Sequence, residues 1–243
     1  MAYELFPGMV RDIPNGRAFK RFRPTSWLLG LWDRSKDSRY EDGFQTVWFA
    51  NVPNAKQKLS VGDTAIFMPG VNVTAADSAS HPYVTMSPRN YTDAAYPTLK
   101  KYLDPTRLAL NDTAGGRDFN VARLGETYLI AAEALFRDGR AGEALPYVNA
   151  IRERAAKKNV APALMDVTVA DLSIDFFLDE RSREFAGEQM RWFDLVRTGK
   201  LVERVKKYNP QAAVAIRDCH VLRPIPTSQL ERTVPAIAQN ACY

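Results

Sequence analysis

Cysteine and histidine are scarce. The 243 residues hold two cysteines, Cys219 and Cys242, and two histidines, His81 and His220. Two cysteines exclude a disulfide framework and a four-cysteine zinc site, while one bridge between them stays open. Two histidines exclude a three-histidine metal centre, and neither has a Ser or Cys partner at a recognised catalytic spacing. No metal and no cofactor is expected. No apolar run approaches the roughly 20 residues of a membrane-spanning helix. The opening Met1-Ala2-Tyr3-Glu4-Leu5-Phe6-Pro7 lacks the basic start and apolar stretch of a signal peptide. The phosphate loop, the dinucleotide-binding glycine pattern, the nucleophile elbow, the H-E-x-x-H helix and the EF-hand loop are all missing. Thr198-Gly199-Lys200 is no phosphate loop, because the upstream glycines are absent. Nothing in the motif content points to an enzyme.

Charge of one sign is not concentrated either. The net charge is +5, from 33 Lys and Arg against 28 Asp and Glu. Residues 1–120 carry 15 basic and 12 acidic side chains and the remainder 18 and 16, an even spread of +3 and +2. A nucleic-acid binder gathers its excess on one stripe. Here the clusters are short, Lys20-Arg21-Phe22-Arg23 and Lys206-Lys207. No nucleic-acid partner is expected.

What is present is an ordinary globular balance, 46% hydrophobic and 25% charged, which rules out whole-chain disorder. Residues 1–118 are punctuated by proline and glycine and read as a loop-rich region. Thr25–Trp32 (TSWLLGLW) fits a short helix capped by Thr25 or Ser26, and Asp33–Tyr40 reads as a loop. Phe44–Ala50 (FQTVWFA) is strand-prone, with Phe44, Thr46 and Trp48 on one face, and Thr64–Met68 is a second strand.

After Gly115-Gly116 the period becomes helical. The spacing predicts a helix over Phe119–Arg137, a break at Asp138-Gly139-Arg140, and a second helix over Glu143–Lys158 with Pro146 in its first turn. Ala132 and Ala144 fall where a tetratricopeptide-like hairpin needs small residues at the crossing, with Tyr128 at the bulky position. A single such repeat needs other structure to cover it. A long helix should then run from about Val169 or Leu172 to Arg197, ending at Gly199, with a short helix over Lys200–Lys207. The tail from Leu222 should be an extended strap with one turn capped by Thr227 or Ser228. The fold class is therefore mainly α, a helical hairpin plus a long C-terminal helix, beside a loop-rich region with short strands. Two regions are expected, 1–118 and 119–243, packed as one unit.

The densest chemistry lies between Asp179 and Leu195. On one helix Glu180, Glu184 and Glu188 stack four apart, with Arg181 and Arg191 at three-residue steps from Glu184 and Glu188. Two carboxylates on one face could serve glycoside hydrolysis, but that chemistry needs one raised pKa, and flanking arginines lower it. The favoured reading is a structural ion-pair network of Glu180, Arg181, Glu184, Glu188 and Arg191, with no catalytic residue. Trp192, beside it, reads as core. Ligand-stacking candidates are Trp48 on its strand and Tyr83, Tyr91 and Tyr96 in a proline-rich loop.

Asp179–Leu201 (DERSREFAGEQMRWFDLVRTGKL) is similar to the C-terminal signature of the SusD/RagB family. The family pattern is met by Glu180-Arg181, Glu184-Phe185, Glu188, Arg191-Trp192, Asp194-Leu195 and Arg197 through Lys200. Arg123–Arg140 resembles the family's last helical hairpin, and Leu222–Thr233 its closing strap. Arg21–Tyr40 resembles its mid-chain region, where an Asp-x-Arg pair recurs, here Asp37 and Arg39. The ending Asn240-Ala241-Cys242-Tyr243 departs from the usual Q-N-P-G-Y. The resemblance implies an outer-membrane lipoprotein of Bacteroidetes that binds glycans, or peptides in RagB-like members, at the cell surface. It implies delivery to a SusC-like TonB-dependent transporter, with no chemistry performed. It also implies the C-terminal half of a longer protein, whose lipid anchor would lie outside this chain. The alternative function is a helical-repeat adaptor that binds only protein.

Overall fold

The computed structural model describes every residue except Ala18, Arg21 and Thr113. Arg21 of the basic cluster and of the mid-chain motif therefore lies outside the described residues. The chain divides into two compact units, Met1–Glu188 and Gln189–Tyr243. The compositional change at residue 118 thus falls inside the first unit.

In the first unit, proline and glycine keep the early elements short. The helix α1 (Ser26–Leu29) is a single turn, and the Thr25 hydroxyl accepts the Leu28 N–H at 3.2 Å. Gly30 caps it, so it stops short of Trp32. The helix α2 (Arg39–Gly43) arises at the end of the stretch expected to be loop, because the Asp37 carboxylate accepts the Arg39 N–H at 3.0 Å and opens the turn.

The FQTVWFA run splits into β1 (Phe44–Gln45) and β2 (Val47–Phe49), which pair with different partners. Strand β2 runs antiparallel to β3 (Thr64–Phe67), Trp48 opposite Ile66. After the helix α3 (Ala75–Ala79), closed by a Thr74–Asp77 capping box, β4 (Val84–Thr85) pairs parallel to β3. Strand β1 pairs antiparallel to β5 (Thr98–Leu99). The alternation holds: Phe44 and Trp48 are buried while Phe49 is exposed. Trp48, Ala65, Ile66 and Met68 form an apolar cluster with Met1, Tyr3 and Met9.

The helix α4 (Leu124–Arg137) begins five residues later than its periodicity predicts, since Arg123 is extended, with φ −148°, and its side chain is engaged elsewhere. Gly139 takes φ +77° in the tight link to α5 (Ala141–Arg154). Ala132 and Ala144 are fully buried and share a cluster with Val148, Leu172 and Phe177. Tyr128 meets Tyr147 edge-on at 5.7 Å. Pro146 sits inside α5, beyond the first turn, where its missing N–H leaves the Gly142 carbonyl without a helical partner.

The long C-terminal helix is interrupted. The helix α6 (Ile174–Glu184), capped by Ser173 accepting the Phe176 N–H at 3.0 Å, stops at Glu184. Gly187 and Gln189 then adopt φ +81° and +63°, a left-handed conformation no right-handed helix passes through. A side chain at 187 would also run into Leu99.

In the second unit, α7 (Arg191–Arg197) ends before Gly199, whose φ is +68°. The helix α8 (Leu201–Tyr208) follows, and Asn209 caps α9 (Pro210–Ala213) by accepting the Ala212 N–H at 3.2 Å. The helix α10 (Thr227–Leu230) starts after Pro226 without a side-chain cap, so neither Thr227 nor Ser228 plays the expected part. The strap folds back on itself. The Ile225 N–H donates to Gln239 Oε1 at 2.8 Å, and Gln239 Nε2 donates to the Ile225 carbonyl at 2.9 Å. A disulfide joins Cys219 to Cys242, their Cα atoms 6.0 Å apart. The architecture is mainly helical with short strands. No helix among the described residues is long and apolar enough to cross a membrane.

Candidate functional site

The carboxylates of α6 sit in a shell of cations. Glu180 is fully buried and accepts hydrogen bonds from Arg39 (2.8 Å), Arg152 (2.7 Å) and Arg183 (2.8 Å). Glu184 accepts from Arg39 at 3.0 Å, from Arg123 at 2.5 Å and from Arg154. Glu188 lies past the helix end, yet it still meets Arg123 at 2.9 Å and Lys101 at 2.6 Å. Asp37 holds Arg39 from behind at 2.7 Å. The sequence reading missed Arg39, Lys101, Arg123, Arg152 and Arg154 as partners. Only Asp37-x-Arg39 carried a signal, as a recurring pair.

Arg181 faces Glu126 at 3.6 Å rather than Glu184, and Arg191 opens α7 in the second unit. The helix break accounts for Arg191, whose three-residue step from Glu188 assumed one continuous helix, whereas Arg181 and Glu184 share α6 and the packing of α4 brings Glu126 to Arg181.

Burial alone would raise the Glu180 carboxyl, but Arg39, Arg183 and Arg152 outweigh it and hold the group at about 2. Glu184 and Glu188 are also lowered against burial, Glu184 chiefly by the Arg123 hydrogen bond and the Arg39 charge, Glu188 by Arg123 and Lys101. A general acid must keep its proton near neutral pH. These three carboxylates are arranged to lose theirs.

The aromatic candidates separate by burial. Trp48 is 1% exposed and Tyr96 2%, so both are core side chains and neither can present a ring to a ligand. The strand pairing buries Trp48 between β3 and the Met1–Met9 segment. Tyr91 is half-buried, its hydroxyl enclosed near the Gly70 backbone. Burial pushes that phenol well above its ordinary range. Tyr83 is also half-buried, stacked on the exposed His81 with centroids 4.6 Å apart and planes 8° apart, and edge-on to Phe67 at 6.3 Å.

Beside Tyr83 lies a pocket of about 280 Å³ lined by Val73, Thr74, Ser78, Thr85, Ser87 and Arg89. The Val73 N–H donates to Ser87 Oγ at 3.1 Å, and Arg89 Nη2 donates to the Val73 carbonyl at 2.8 Å. Thr85 and Arg89 were not foreseen. The available signal was the extended spacing Tyr83-x-Thr85-x-Ser87, which puts the three side chains on one face.

In the second unit, Trp192, Phe193, Val196, Arg197 and Arg223 line an apolar groove of about 340 Å³. The Arg223 guanidinium lies 5.0 Å from the Trp192 ring. Trp192 therefore forms a groove wall rather than the core position its sequence context suggests. Elsewhere in the second unit Cys219, His220 and Cys242 converge. Bridged sulfurs offer no thiolate, and His220 Nδ1 accepts the Arg217 N–H at 3.2 Å, so the trio does not fit a metal.

Residues 31–243 match the family model described as the SusD family. The SusD-like protein P2 of Formosa agariphila is 30% identical over 183 residues, covering 71% of this chain and 36% of that protein. The SusD-like protein P38 of the same organism is 39% identical over 85 residues, covering 33% and 17%. The starch-binding protein SusD of Bacteroides thetaiotaomicron is 42% identical over 82 residues, covering 34% and 13%. In each case the match spans little more than a third of the relative's length, or less. The hairpin α4–α5, the charged segment from Glu180 to Lys200 and the closing strap lie within the region matched by the model, and the chain belongs to the SusD family.

Proposed function

We propose that this chain is part of a non-catalytic glycan-binding protein for nutrient uptake at the bacterial outer surface, working with a SusC-like TonB-dependent transporter. Its place in the membrane would come from a lipid anchor rather than from a spanning helix. The family match over residues 31–243 carries the reading, and the relative named for starch binding supports the ligand class. The cation-clamped carboxylates favour binding over hydrolysis, because no proton donor is held ready among Glu180, Glu184 and Glu188. The half-buried Tyr83, stacked on the exposed His81, supplies a flat aromatic face of the kind that packs against the C–H face of a sugar ring.

Electrophoresis of the chain through gels containing polysaccharide tests the reading. Retardation by a polysaccharide without release of reducing sugar is the expected outcome. Sugar release that disappears in Glu184→Gln, with folding intact, would overturn the non-catalytic assignment. Retention only by a protein partner would favour the helical-repeat adaptor, and retention only by peptides the RagB-like alternative.

A further inference from the structure

The ligand subsite of the first unit can be assigned more narrowly, on the footing that the chain binds glycans. We propose that the pocket between α3 and β4 holds one neutral sugar ring, with Thr85 and Arg89 as its hydrogen-bonding residues and Tyr83 as its stacking wall.

Strand β4 alternates. Val84 pairs opposite Ile66, and Met86 packs against the apolar cluster around Trp48, so these side chains point inward. Tyr83, Thr85 and Ser87 therefore share the opposite face, and Thr85 and Ser87 both line the pocket. The aromatic ring and the hydroxyls are thus presented together by one extended segment. Pairing with β3 fixes that segment, and Tyr83 is propped by His81 and Phe67.

The polar groups have the right state for a hydroxylated ligand. Thr85 Oγ1 is shielded from water and has no hydrogen-bond partner among the described residues. A shielded hydroxyl left unpaired is unfavourable, and a ligand hydroxyl that satisfies it recovers that cost. The hydroxyls of Thr74 and Ser87 have specific partners that hold them in place, Asp77 Oδ2 and the Val73 N–H. Arg89 supplies further donors, its guanidinium anchored at one nitrogen by the Val73 carbonyl.

The lining carries no carboxylate, and its one charge, on Arg89, lies on an exposed residue. A solvated single cation adds little to the binding of an anion. Four hydroxyl-bearing residues, Thr74, Ser78, Thr85 and Ser87, dominate instead. That set suits the vicinal hydroxyls of an uncharged ring. A volume of about 280 Å³ lies just below the range of drug-sized pockets, which fits one ring with the rest of the chain lying outside.

Affinity electrophoresis of the 243-residue chain provides the test. Soluble starch, a mixed-linkage β-glucan and an arabinoxylan serve as neutral probes, a polyuronate and a sulfated galactan as acidic ones. Thr85→Val removes the hydroxyl at constant shape, Thr85→Ser keeps it, and Tyr83→Ala removes the wall. The proposal expects at least one neutral polymer to retard the wild type at low and high salt alike. It expects about tenfold weaker retardation in Thr85→Val and in Tyr83→Ala, full retardation in Thr85→Ser, and unchanged melting temperatures. If Thr85→Val melts early, Thr85→Ser and Tyr83→Ala decide between the same outcomes. Neutral-polymer binding that survives both Thr85→Val and Tyr83→Ala overturns the subsite and leaves glycan binding standing. Binding confined to acidic polymers and abolished by salt overturns the neutral-ring assignment. No retardation by any polymer removes the glycan-binding reading itself, and the subsite with it.

Discussion

The two units reach stability by different means. The first, Met1–Glu188, is built on four apolar clusters and a buried set of carboxylates and guanidiniums centred on Glu180 and Arg39. The second, Gln189–Tyr243, is a run of short helices whose strap is clasped by the Cys219–Cys242 disulfide and the Gln239–Ile225 hydrogen bonds. A larger unit can desolvate charges, provided each is paired, because its core excludes water. The 55-residue unit buries fewer charges, Asp194 and Arg204, and a covalent closure in addition limits its unfolded state.

That contrast can be broken at several points. The largest effect is expected from Glu180→Gln, which removes the charge that Arg152 and Arg183 pair with and that Arg39 shares with Asp37 and Glu184, and destabilises the first unit by about 4 kcal/mol. Region-resolved hydrogen exchange should show the loss in residues 1–188 while protection in the strap is unchanged. The converse variant, Cys219→Ser with Cys242→Ser, opens a closed loop of 23 residues and should destabilise the second unit by about 3 kcal/mol. Exchange should then quicken in the strap and leave α4–α6 protected.

Acid should separate the units as well. The folded Glu180 carboxyl sits at about 2, below the unfolded value near 4.3, so its stabilisation is present above that unfolded value. It is lost as pH falls from about 4 toward 2. A pH series followed by hydrogen exchange should find α6 opening across that window, whereas Glu180→Gln should flatten the dependence.

Within the first unit, Ala132→Leu should overfill the hairpin crossing and destabilise by about 2 kcal/mol, read from the denaturant midpoint. The smallest effect is expected at Tyr83, where alanine should shift stability by about 0.5 kcal/mol because the ring is only partly buried. A large loss there would make Tyr83 a packing residue and end its candidacy as a ligand wall.

How much was legible varies with the range of the interaction. The α4–α5 hairpin was readable because its determinants are local: a three-to-four residue apolar period, small residues at Ala132 and Ala144, and a glycine able to take positive φ at 139. The Thr25 cap was readable for the same reason. The break after Glu184 was missed. Gly187 in a helix is only modestly unfavourable, so nothing local announced the left-handed turn, and Leu99, whose side chain fills the space a Cβ at 187 would need, lies 88 positions earlier in the chain. The burial of Trp48 was missed because alternation fixes which side chains share a face, not which face meets the core, and that of Tyr96 because no local pattern tells which loop side chain turns inward.

The sequence by itself determined the family signature, the helical hairpin, and the presence of a carboxylate row among arginines. Only the tertiary structure decided which arginines close on that row, which aromatics are buried, and that Thr85 and Ser87 border one pocket. The physical reason is range. Helix period, caps and left-handed glycines act over a few residues, whereas charge pairing and burial join positions such as Arg39 and Glu180, 141 apart, that meet only once the chain has folded.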